Sequence, residues 1–157
     1  MNRIQAIRGK SEYSLSDHLM IAVDGRPLDQ HINVFDIEGR HGYNGLVPTL
    51  LDWLESEQER AVVWTRILPE IGATTICPVL MCPDDCDFSC TIVVAEIKHT
   101  AHGVEWTRVG TNIGQAKKSP EDIGREVSWF PGLHFRFSDD EYFDCINTFK
   151  NELKEAQ

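Results

Sequence analysis

The chain has 157 residues, 41% of them hydrophobic and 25% charged, and a formal net charge of -10. That is enough apolar material for one folded domain over residues 1–157 without metals or cross-links, and it excludes disorder as the overall state. The negative charge repels phosphate, so neither nucleic acid nor an anionic membrane is expected as a partner, whereas a basic protein suits it.

Residues 1–10 carry basic side chains with no apolar stretch behind them, so no secretory signal is expected. No run approaches the length of a membrane helix. Five cysteines, an odd number, do not form a tidy disulfide framework, and a reduced, cytoplasmic setting follows. Residues 19–23 (LMIAV) are apolar, Asp24-Gly25 is a turn pair, and Pro27 limits the strand that follows. This predicts a hairpin across residues 18–34. Residues 35–45 contain Gly39, Gly42 and Gly45 and read as a loop. Val47, Leu50, Leu51 and Leu54 then fall at helical spacing, with Pro48 suited to a first turn and Asp52, Glu55, Glu57 and Glu59 facing water. Residues 61–67 (AVVWTRI) either extend that helix or form a strand.

Residues 74–109 give a three-strand meander, in which 91–95 (TIVVA) are apolar on both faces, as in a central strand. Residues 110–126 read as a loop with one helical turn at 119–122. Residues 127–130 and 133–137 read as strands across Pro131-Gly132. Ser138-Asp-Asp-Glu141 is a capping box, and Tyr142, Cys145, Ile146, Phe149 and Leu153 form the apolar face of a terminal helix. The fold class is α+β: an antiparallel β-sheet of about five or six strands with two main helices packed on it.

Four cysteines and three aspartates crowd residues 77–90 (CPVLMCPDDCDFSC). Gaps of four, three and three residues match no common zinc or iron–sulfur pattern. A turn bringing Cys82, Cys86 and Cys90 together, with His99 or His102 as fourth ligand, is the metal-binding alternative. A redox role needs a thiol near positive charge, and Asp84, Asp85 and Asp87 surround Cys86 instead. The preferred reading makes all five cysteines small buried hydrophobes, without metal or cofactor, with the aspartates as a hydrated hairpin tip open to a basic partner. A small enzyme using the Asp84–Asp87 loop with a divalent metal is the remaining alternative.

No phosphate-binding loop, nucleophile elbow or zincin motif occurs, and nothing selects a Cys145–His134 pair. The chain is therefore read as non-catalytic. Trp53, beside Asp52 and slightly off the Leu50/Leu54 stripe, sits at the core boundary. Candidate partner-binding residues are Asp84, Asp85, Asp87, Trp53, Asp139 and Asp140.

Across residues 44–150, the stretches GLVPTLLDWL, LMCPDDCDFSCTIVVAEI and FRFSDDEYFDCINTF resemble the small acidic immunity proteins of bacterial polymorphic and contact-dependent toxin systems. That resemblance implies a cytoplasmic α+β protein that binds a cognate toxin domain, often a basic nuclease, and blocks it with acidic and aromatic residues. No family binding residue carries over, because the toxin-facing surface varies most.

Overall fold

The structure is a computed structural model describing residues 1–10, 17–36, 39, 42–114 and 119–156. Its elements are β1 (Ile4–Gly9), β2 (His18–Val23), β3 (Arg26–Pro27), α1 (Leu28–Asn33), β4 (Val47–Pro48), α2 (Glu57–Arg66), β5 (Thr74–Met81), β6 (Val93–Thr100), β7 (Gly103–Asn112), β8 (Val127–Trp129), β9 (Phe135–Phe137) and α3 (Asp139–Ala156). A single 3₁₀ turn, Pro120–Asp122, falls inside the expected 110–126 loop. The fold is α+β, with a six-stranded sheet ordered β4-β5-β6-β7-β8, β9 also on β7, and a second sheet ordered β1-β2-β3. Helix α2 packs on β5, and α3 packs on β1 and β7. Among the described residues no helix is long and apolar enough to cross a membrane.

The meander forms as the β-branched runs dictate. Central β6 begins at Val93, and Val93, Val94, Ala95 and Ile97 are fully buried, so both faces of the strand are covered. Gly110 is required where β7 meets β8, because a Cβ there would collide with the Ser128 carbonyl. Strands β8 and β9 do not form a hairpin with each other. They pair in succession along one edge of β7, Trp129 opposite Gly110 and Phe135 opposite Trp106, and Pro131-Gly132 is the break between two parts of one interrupted edge.

The expected 18–34 hairpin is present only in part. Asp24 and Gly25 take φ of 52° and 81°, the two left-handed residues that a tight hairpin turn needs. Pro27 then ends the pairing, and the chain turns into α1. The partner that completes this sheet is β1, in register from Ile4 opposite Val23 to Gly9 opposite His18. Its apolar residues, Ile4, Ala6 and Ile7, are too few to mark it as a strand.

The helix expected from residue 47 is not there. Val47 and Pro48 pair with Met81 and Leu80 as an added sheet strand. Thr49 then fixes the chain: its N–H donates to Val79 O at 3.0 Å and its hydroxyl to Pro78 O at 2.8 Å. Val47, Leu50 and Leu54 are fully buried, but through turns and not one helical face. The edge of β5 offers unpaired backbone groups beside a bulge at Pro78–Leu80, and satisfying them outweighs helical periodicity. The helix starts later. Ser56 is its cap, accepting from Glu59 N at 3.3 Å, and residues 61–66 resolve as helix with Ile67 as C-cap.

A carboxylate groove as the candidate functional site

Two segments come together beside the start of α2. Trp53, Glu55 and Ser56 lead into the helix and Glu59 lies in its first turn; Pro83, Asp84, Asp85, Cys86 and Asp87 belong to the β5–β6 connection. Together they line an open groove of about 620 Å³. The connection spans residues 82–92 and is held in several ways. Cys86 N donates to Cys82 O at 3.0 Å, which winds the tip into a turn with Cys86 at φ 49°. Asp87 Oδ1 accepts both the amide of Ser89, at 2.8 Å, and its hydroxyl, an Asx turn. Phe88 is buried in the core, and its N–H donates to Oε2 of buried Glu59 at 3.2 Å. A disulfide joins Cys82 and Cys90, with Cα atoms 6.2 Å apart, across the base.

The reading of all five cysteines as small buried hydrophobes therefore fails for Cys82 and Cys90, which are cross-linked, and for Cys86, which lines the groove half-buried. Strand β5 stops at Met81 and β6 starts at Val93, so both cysteines lie on the connection, Cys82 half-buried and Cys90 exposed. Cys77 and Cys145 are buried free thiols. Burial pushes the Cys77 thiol up and the Cys145 thiol up to about 12. Cys145 faces the core from α3 while His134 is exposed, and nothing among the described residues joins them.

The alternative metal set of Cys82, Cys86 and Cys90 with a histidine is not assembled either. Among the described residues the donors that converge are Cys82, Asp85 and Cys90, within 4.8 Å of one another. Cys86 instead turns its thiol to Pro83 O at 3.1 Å. His99 is buried between Pro69 O, at 2.8 Å, and Asp139 Oδ1, at 3.2 Å, and His102 lies at the β6–β7 turn.

Five carboxylates, those of Glu55, Glu59, Asp84, Asp85 and Asp87, line the groove, and no lysine or arginine is among its described lining. The neighbouring cation, Arg60, directs its guanidinium to the Leu54 and Glu55 carbonyls. Cys86, the groove's thiol, is raised above its ordinary pKa, first by burial and then by Asp87, Asp84, Asp85 and Glu55. It is thus a neutral thiol near pH 7, a poor nucleophile. Trp53, half-buried, is braced edge-to-face against His18 at 5.0 Å between centroids. An indole beside carboxylates can offer ammonium and guanidinium groups charge-assisted hydrogen bonds and cation–π contact.

Four of the six sequence-derived candidates, Trp53, Asp84, Asp85 and Asp87, meet in this groove. The other two do not. Asp139 stands at the start of α3 beside His99, and Asp140 lines a separate shallow surface with Glu141, Phe143, Asp144 and Asn147. Glu55 and Glu59 were missed as site residues. The signal for them was Ser56-Glu-Gln-Glu59, a capping box that sets the helix start where both flank the 82–92 loop.

No protein-family model, no curated protein and no solved structure matches the chain.

Proposed function

We propose that this chain is a non-catalytic binding protein that neutralises a cognate basic protein by seating its arginine and lysine side chains in the carboxylate groove. The supporting observation is the groove's composition: five carboxylates and one braced indole, with no cation among the described lining. An immunity protein against a basic toxin domain, a nuclease being a class with a basic active site, fits that chemistry and the net charge of -10. The reading carries a cytoplasmic location, where the toxin would act.

Co-expression with a candidate toxin domain from a neighbouring gene tests this. The expected result is survival of cells making both proteins and a complex that dissociates as salt rises. Toxicity undiminished by the chain, or a complex indifferent to salt, contradicts it.

A further inference from the structure

The convergence of Cys82, Asp85 and Cys90 is a feature that recognition of a basic protein does not use. The two sulfurs are bonded to each other as the disulfide, and a carboxylate oxygen of Asp85 lies within 4.8 Å of both. Three donors around zinc, with bonds of about 2.3 Å to sulfur and 2.0–2.2 Å to oxygen, stand roughly 3.5–3.8 Å apart, a spacing the three side chains can reach by rotation once the S–S bond is broken and the sulfurs move apart. The backbone is already suitably placed, with the cysteine Cα atoms 6.2 Å apart. Contacts besides the cross-link also hold the frame: Phe88 is anchored in the core and by Glu59, the Asp87–Ser89 turn closes on itself, and Cys86 N bonds Cys82 O.

We propose that reduction of the Cys82–Cys90 disulfide converts this loop into a site for a soft divalent cation, zinc above all, held by the two thiolates and the Asp85 carboxylate. A dithiol reductant breaks the S–S bond, supplies two electrons and two protons, and leaves as its own disulfide. Metal capture then releases both thiol protons to solvent and forms two metal–sulfur bonds and one metal–oxygen bond. The soft thiolates select zinc over magnesium and calcium, which prefer all-oxygen shells. Asp84 and Asp87 add negative potential beside the ion. Three protein ligands leave a fourth position for water or a donor from a partner. Oxidation closes the site by consuming both sulfurs. The loop would thus exist in two cross-linked states, disulfide or metal, set by the thiol–disulfide balance around it. The proposal does not rest on the partner reading, since metal uptake is measured on the chain alone.

The test titrates cobalt(II) and zinc into the full chain, once reduced with a non-chelating phosphine in the absence of oxygen and once oxidised, with free thiols counted in each form. The reduced protein is expected to take up one equivalent, with a cobalt–thiolate charge-transfer band and micromolar or tighter affinity. The oxidised protein takes up none. Asp85→Asn, at an exposed position, is expected to weaken uptake about tenfold or more, while Asp140→Asn, on a separate surface, changes it little. Cys82→Ser/Cys90→Ser abolishes the charge-transfer band. No thiolate band in the reduced wild type, or equal uptake in both redox forms, overturns the proposal; both arms use the unaltered chain and do not depend on any variant folding.

Discussion

Tyr142 carries the clearest obligation of any single residue. Its hydroxyl donates to Ile67 O at 2.6 Å and accepts from Trp106 Nε1 at 3.3 Å, tying α3 to the end of α2 and to β7 with no solvent nearby. Tyr142→Phe keeps the ring and strands both partners, so a loss of about 1–3 kcal/mol is expected in urea unfolding. Cys145 makes a pH-dependent contribution. Its thiol ionises at about 12 in the folded chain against 9.0 ordinarily, because burial disfavours the thiolate. Below pH 9 both states hold the proton and nothing changes. As the pH rises beyond that, the unfolded chain loses its proton first, and stability falls until the folded thiol also ionises. Between about pH 9 and pH 11, Cys145→Ala should flatten the decline in unfolding free energy by roughly 2 kcal/mol, compared by guanidinium titration at each pH. An unchanged slope would mean that the thiol is not held neutral.

At the scale of elements, the two Ser-x-x-Glu boxes behave alike. Ser56 accepts from Glu59 N and Ser138 from Glu141 N, both at 3.3 Å, so each serine caps its helix. Each glutamate is diverted from the expected reciprocal bond: Glu59 reaches Phe88 N and Glu141 reaches the Arg3 guanidinium, each at 3.2 Å. The box at Ser138 is legible as a helix start, and the one at Ser56 carries the same signal. The diversion was not legible, because it depends on which strands arrive alongside. The same limit explains residues 47–54, where a helical spacing of leucines is equally a set of buried turn residues once Val47 and Pro48 join β5. Ser56→Ala should cost α2 about 1 kcal/mol. Glu59→Ala should release the 82–92 loop, and amide exchange at Phe88 is expected to quicken about tenfold or more relative to β6. Equal protection in the variant would show that Glu59 does not hold the loop.

For the molecule as a whole, the sequence made the chemistry of the groove visible but not its membership. Asp84, Asp85, Asp87 and Trp53 stood out as charge and aromatic surface, and the fold brings them together because the end of β5 and the approach to α2 share one corner. Asp139 and Asp140 had the same composition signal, yet α3 carries them elsewhere. Charge alone therefore does not assemble the groove; placement does. The measurement that tests this most directly takes the protein that copurifies with the chain in its host and titrates it, purified, against three forms of the chain at low and high salt with chelator present. Its binding to the wild type should weaken at least about tenfold as salt rises, and Asp84→Asn/Asp85→Asn/Asp87→Asn should weaken it by a further ten- to a hundredfold or so, while Asp139→Asn/Asp140→Asn leaves it unchanged. An acidic partner, or a triple variant that binds as the wild type does, would contradict recognition through the groove.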